Sequence, residues 1–123
     1  MVLIKDNHLA ALRDAAPNPV AAAVRRCREK HPELRVEVEA DTLEQVEQAL
    51  ASNADIILLD NMSPEMMRAA VQKCRGRALT EASGGINLSS LCATAETGVD
   101  FVSAGALTHS ARAVDIGLDF EMT

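Results

Sequence analysis

Short apolar runs alternate with helical patterns along this chain, about every 20 to 25 residues, and no other feature limits its fold so tightly. Val2-Leu3-Ile4, Arg35 to Ala40, Asp55 to Asp60, Ala78 to Ser83 and Asp100 to Ala104 each read as strands. Punctuated helices are expected between them. Asn18 caps a helix with Pro19 at its first position, and Val20, Val24 and Cys27 lie on one face. The basic residues Arg25, Arg26, Arg28 and Lys30 crowd its last turn, where they oppose the helix dipole. Thr42-Leu43-Glu44-Gln45 is a capping box leading to Val46, Ala49 and Leu50. Ser63-Pro64 opens a helix burying Met67, Ala70, Val71 and Cys74, with Gly76 as its stop. Asn87 is expected to cap a fourth, carrying Leu88, Leu91, Cys92 and Ala95 and ending at Gly98. A short turn near Thr108 to Val114 and a final strand through Ile116, Leu118 and Phe120 complete the pattern. Strand and helix in strict alternation imply right-handed βαβ crossovers and a parallel sheet.

The 123 residues suit one core rather than two, and no linker or low-complexity segment divides them. Aromatic residues are 2% of the chain, so the core must be aliphatic. A net charge of −6 without stacking rings argues against nucleic-acid binding. No stretch approaches the ~20 apolar residues of a membrane span, and no secretory signal pattern is present. Three scattered cysteines, Cys27, Cys74 and Cys92, make no disulfide framework and point to the cytoplasm.

Parallel strands are normally apolar on both faces, and the exceptions here are systematic. Lys5 ends the first strand, Glu37 and Glu39 alternate with valines in the second, and Asp60 ends the third. Glu81 and Ser83 share a face of the fourth, as do Ser103 and Gly105 of the fifth. Most lie at C-terminal strand ends, where α/β folds bind ligands. Four carboxylates against one lysine require a cation, and hard oxygen donors suit Mg²⁺ shared with substrate phosphates. No His/Cys set has zinc spacing. Among the histidines, His8 lies at the active edge, three residues beyond Lys5. Ser83-Gly84-Gly85 and Ala104-Gly105-Ala106 are small-residue loops able to bring backbone N–H groups close to an anion, and the first is expected to lead into a helix N-terminus.

In five segments the chain resembles the quinolinate phosphoribosyltransferases. They are Leu3-Ile4-Lys5-Asp6-Asn7-His8, Val36-Glu37-Val38-Glu39, Ile57-Leu58-Leu59-Asp60-Asn61, Glu81-Ala82-Ser83-Gly84-Gly85-Ile86 and Ser103-Ala104-Gly105-Ala106-Leu107-Thr108. The resemblance implies transfer of phosphoribose from phosphoribosyl pyrophosphate to quinolinate, with release of pyrophosphate and CO₂, giving nicotinate mononucleotide for NAD synthesis. By position, it implies that Lys5 faces the anionic substrates, that Glu39 and Asp60 hold the ribose hydroxyls and Mg²⁺, and that Ser83, Gly84 and Gly105 bind the 5′-phosphate. His8, Glu81 and Ser103 complete the expected substrate-binding set, and Lys5, Glu39 and Asp60 the catalytic one.

Family members are more than twice as long, with an N-terminal domain and earlier barrel strands bearing quinolinate-gripping arginines. Residues 1–123 are therefore expected to form the C-terminal part of the barrel domain, an incomplete TIM-like β/α barrel. The N-terminal domain and first strands would be absent, and the chain alone inactive. Its open edges imply a homo-oligomer or a completing chain that covers Leu3, Ile56 and Leu58. A non-catalytic phosphate-binding fragment is an alternative reading. A two-component receiver, a flavodoxin-like doubly wound sheet with Asp60 as phosphoacceptor, is a weaker one. It lacks both the acidic pair after the first strand and a lysine after the fifth.

Overall fold

The computed structural model describes residues 1–109, 113–118 and 120. Five strands, β1 (Val2–Ile4), β2 (Val36–Ala40), β3 (Ile56–Asp60), β4 (Leu79–Ser83) and β5 (Phe101–Val102), form one sheet in the order β1-β2-β3-β4-β5. All four pairings are parallel. The main helices between them are α2 (Pro19–Lys30), α3 (Leu43–Ala51), α4 (Pro64–Cys74) and α5 (Leu91–Ala95). A single-turn helix, α1 (Asp6–Ala10), follows β1, and α6 (Ala106–His109) follows β5.

Strand order decides between the two expected architectures. When each strand pairs with the next in sequence, right-handed crossovers carry every helix to the same face. This is the arrangement of a β/α-barrel arc. A flavodoxin-like sheet changes direction and has helices on both faces, so the receiver reading does not hold.

One set of alternating positions accordingly faces the helices. Ile4, Val36, Val38, Ala40, Ile57, Leu59 and Ala82 pack with Val20, Val24, Val46, Ala49, Leu50, Met67, Ala70 and Cys74 in a single aliphatic cluster. The expected caps position these helices. Asn18 accepts from the Ala21 N–H, Ser63 from that of Met66, and Thr42 and Gln45 form the full reciprocal box. Helices α2, α3 and α4 leave the opposite face free among the described residues. There Ile56 and Leu58 are already buried, so they do not need the covering chain expected for them. Leu3, Leu79 and Phe101 stay exposed.

Three expected elements differ. The fifth strand shrinks from Asp100–Ala104 to Phe101–Val102. Asn87 does not cap a helix. Its side chain accepts from the Ser89 N–H and hydroxyl in a local turn, so α5 starts at Leu91 behind Ser90, and Leu88 is 92% exposed. Among the described residues of the expected final strand, 113–118 and 120, none is in a strand, and Ile116, Leu118 and Phe120 are exposed; two-residue β5 offers almost no edge for an alternating segment to pair with. Part of the expected Thr108–Val114 turn lies outside the described residues.

Candidate functional site

The C-terminal ends of the strands gather the polar residues that sequence periodicity had placed there. Lys5 directly follows β1, and its Nζ lies 3.3 Å from Glu39 Oε2 near the end of β2. The Glu39 side chain is only 14% exposed against 53% for Lys5, so the lysine closes over the carboxylate from the solvent side. Asp60 ends β3 in register with Ser83 at the end of β4. Glu39 and Asp60 both open onto a small cavity of about 90 Å³, shared with Asp6, Leu9, Asp41 and Gln45.

On β4, Glu81 Oε1 accepts a 2.5 Å hydrogen bond from Ser103 Oγ, just beyond β5. This bond ties the last two strand ends together. Glu37, two residues before Glu39 on the same face, is buried. Loss of hydration, reinforced by the neighbouring Glu81 carboxylate and a hydrogen bond with it, pushes its carboxyl up to about 7.

The first glycine loop is built around Asn61. This residue has φ +51°, and its N–H donates to the Ser83 carbonyl at 3.0 Å. Its side-chain amide donates to Asp60 Oδ2 at 2.8 Å. Gly84, at φ +89°, lies so close that a Cβ there would meet Asn61 Oδ1 at 2.3 Å. A Cβ on Gly105 would likewise meet the His109 ring at 2.3 Å.

One expectation is corrected, and the place of His8 is defined. The first glycine loop does not run into a helix N-terminus, since Asn87 diverts the chain and five-residue α5 begins only at Leu91. Any anion site there would rest on loop N–H groups alone. His8 lies on exposed α1, where its Nδ1 accepts from the Lys5 backbone N–H at 2.9 Å. It fixes the turn that presents Lys5 and does not line the small cavity.

Sequence reasoning left Asp6, Asp41, Gln45 and Asn61 out of the site. Asn61 carried a usable signal, because Asn directly after a strand-ending Asp is a residue that tolerates positive φ.

Among the described residues, no group of three or more His, Cys, Asp or Glu is placed to hold a metal ion. Glu39 and Asp60 are nevertheless hard oxygen donors on one cavity. They fit a Mg²⁺ that arrives with a polyphosphate and takes most of its ligands from phosphate and water. They do not form an all-protein cage.

A larger cleft of about 500 Å³ lies at the other end of the strands, among Arg35, Arg75, Arg77 and Asp100. It is lined by none of the candidate site residues named from sequence. Arg75 and Arg77 directly follow α4, where they offset the helix dipole. No described helix is long and apolar enough to cross a membrane.

Comparison with known proteins bears on this edge of strand ends. The chain is 48% identical over 120 residues to the nicotinate-nucleotide pyrophosphorylase (carboxylating) of Mycobacterium leprae, covering 95% of this chain and 40% of that protein. It is 38% identical over 123 residues to a probable nicotinate-nucleotide pyrophosphorylase of Bacillus subtilis, covering 99% and 41%. It thus spans about two fifths of the length of these curated relatives.

Among solved structures, the Ehrlichia chaffeensis enzyme of that name superposes with a TM-score of 0.81 at 40% identity, covering 98% of this chain and 42% of that one. The Francisella tularensis enzyme gives 0.79 at 41% identity, covering 92% and 38%. A thiamine phosphate pyrophosphorylase from Pyrococcus furiosus, 22% identical at a TM-score of 0.61, shares the fold. The family model described as quinolinate phosphoribosyl transferase, C-terminal domain, matches residues 1–119, and the chain belongs to that family.

Proposed function

We propose that this chain supplies the phosphoribosyl-pyrophosphate side of an active site that transfers phosphoribose to quinolinate, yielding nicotinate mononucleotide, CO₂ and pyrophosphate. The observation that carries this reading is the Lys5–Glu39 pair, with Asp60 on the same cavity, at the strand ends of a chain matching the family over residues 1–119.

Chemically, the quinolinate nitrogen attacks the anomeric carbon of the ribose as pyrophosphate departs. Glu39 and Asp60 hold the ribose hydroxyls, and their charge stabilises the positive charge growing on the sugar. Lys5 faces the anionic groups of the substrates, and His8 keeps the Lys5 backbone in place. Ser83, Gly84 and Gly105 cradle the 5′-phosphate with loop N–H groups, while Glu81 and Ser103 fix the spacing of the two loops. Bound through Glu39 and Asp60, Mg²⁺ would neutralise charge on the leaving pyrophosphate. Loss of CO₂ then asks the protein only for a site that tolerates a ring carbanion.

Residues 1–123 carry the C-terminal part of the barrel domain in this reading, and the grip on the two quinolinate carboxylates comes from residues outside them. Free Cys27, Cys74 and Cys92 support a reducing, cytoplasmic setting.

Titration calorimetry tests the assignment. Phosphoribosyl pyrophosphate with Mg²⁺ should bind weakly but measurably, and quinolinate poorly, since Lys5 alone must offset its two carboxylates. Turnover should be negligible, because holding both reactants in attack geometry can be worth ~7–11 kcal/mol. Asp60→Ala should remove the Mg²⁺-dependent part of the binding, and Gly105→Val the phosphate part. Tight quinolinate binding without phosphoribosyl pyrophosphate, or efficient product formation, would overturn the division into half-sites.

A further inference from the structure

The end of the sheet opposite the strand-end carboxylates has a charge cluster of its own. A cleft of about 500 Å³ lies there, a volume within the range of small-molecule sites. Three arginines line it from two separate parts of the chain, Arg35 directly before β2 and Arg75 and Arg77 just after α4. None of the three is in an ion pair with a described residue. The two carboxylates of the cleft, by contrast, are already engaged. Asp55 Oδ2 accepts from Arg28 Nη2 at 2.8 Å and from the Val36 N–H at 2.6 Å. Asp100 Oδ2 accepts from the Thr80 N–H and hydroxyl at 2.8 and 2.9 Å. Each carboxylate thus ties down the start of a neighbouring strand, and Arg28 offsets the charge of one of them. The cleft is left with a positive balance in a chain whose net charge is −6.

The helix dipole accounts for Arg75 and Arg77, but not for Arg35, which leads into a strand. Nor does α4 turn bare carbonyls toward an anion. The Arg75 N–H donates to the Val71 carbonyl, and the Arg77 and Ala78 N–H groups donate to that of Cys74, around Gly76 at φ +73°. Beside the guanidinium groups the lining is apolar, with Val71, Ala78 and Leu79.

We propose that this cleft binds a small organic phosphate, its phosphate held by Arg35, Arg75 and Arg77 and its organic part resting on Val71, Ala78 and Leu79. The planar guanidinium fork matches phosphate oxygens two at a time, and an apolar lining beside it favours an ester over the bare ion. A nucleic acid or an anionic membrane does not suit the site, because its charge would extend past the cleft onto an acidic molecule. A small anion meets the arginines alone. The site lies at the other end of the strands from Asp60 and does not rest on the transferase reading, so either can fail while the other holds.

Phenyl phosphate is the probe, added in EDTA to the isotope-labelled chain and followed by NMR. Amide shifts should concentrate at Gly76, Arg77 and Gly98. Phenyl phosphate should bind several-fold more tightly than inorganic phosphate, since only the ester can use the apolar lining. Arg77→Ala should weaken binding about tenfold, the loss of one charge-assisted contact. Arg77→Lys, which keeps the charge without the fork, should lose less. Asp60→Ala should leave the affinity unchanged, and added sodium chloride should lower it. Should Arg77→Ala fail to fold by circular dichroism, Arg35→Ala, in the other segment, carries the same test. The proposal is overturned if the shifts are confined to Gly84 and Gly105, if no saturable shift occurs, or if both arginine variants bind as the parent does. Citrate binding as tightly as phenyl phosphate would overturn the ligand class.

Discussion

A carboxyl group shut against the sheet beside another carboxyl keeps its proton longer than one in water, and for Glu37 this links stability to pH. Its carboxyl is raised from 4.5 to about 7 in the folded chain. Between those values the folded form holds a proton that the unfolded form has lost. Stability contributed at this position is therefore full below the ordinary carboxylate range, falls as pH rises toward 7, and is flat above it. The loss should be on the order of 1–3 kcal/mol, read as a falling urea midpoint between about pH 5 and 7. Glu37→Gln should flatten that slope. An unchanged slope in the variant would assign the dependence elsewhere.

The two loop glycines should differ in the same kind of experiment. Gly84 has φ +89° and faces Asn61, which is held by its own backbone and by Asp60, so Gly84→Ala should cost about 1–3 kcal/mol in the thermal unfolding midpoint. Gly105 has no such dihedral, and its obstacle is the end of the His109 side chain rather than backbone. Gly105→Ala should therefore cost less than Gly84→Ala in the same measurement. The residue scale was partly legible in advance: alternation placed Lys5, Glu39, Asp60, Glu81 and Ser83 on one edge. It could not give the depth of Glu37 or the crossing of Asn61 over Gly84, since both depend on how neighbouring strands are staggered.

At the scale of elements, the chain's punctuation proved the best guide. Asn18, Thr42 and Ser63 cap the helices they were expected to cap, because a side-chain oxygen bonding an N–H three residues on is a wholly local event. Asn87 has the same chemistry but satisfies Ser89 two residues on, which local sequence cannot distinguish from capping. The tail has strand periodicity at Ile116, Leu118 and Phe120, yet its described residues form no strand, because pairing requires an edge that β5 does not supply. The separation of local from tertiary contributions can be measured. Thr42→Ala should cost about 1 kcal/mol in denaturant unfolding. Leu59→Ala, in the middle of the helix-side core, should cost about 2–5 kcal/mol. Comparable losses would mean that α3 is held by its cap more than by its packing.

At the scale of the whole molecule, the alternation of elements established a parallel sheet but not the order of its strands. Both a barrel arc and a doubly wound sheet follow from repeated βαβ units, and the difference lies in which edge each new strand joins. Here every strand joins next to its predecessor, so the polar strand-end residues form one continuous edge from Lys5 to Gly105.

The position of Asn61 on that edge carries a consequence of its own. The side chain holds Asp60, the backbone N–H holds the Ser83 carbonyl, and the same residue fills the space above Gly84. A cation at Asp60 and a phosphate at Gly84 would therefore not be independent ligands. A group bound at one position and a group bound at the other would share Asn61 as a neighbour, and any coupling through it is equal in both directions by thermodynamic reciprocity. A substrate with its pyrophosphate and 5′-phosphate at opposite ends of one sugar would meet, in this asparagine, a gauge of whether both ends had arrived.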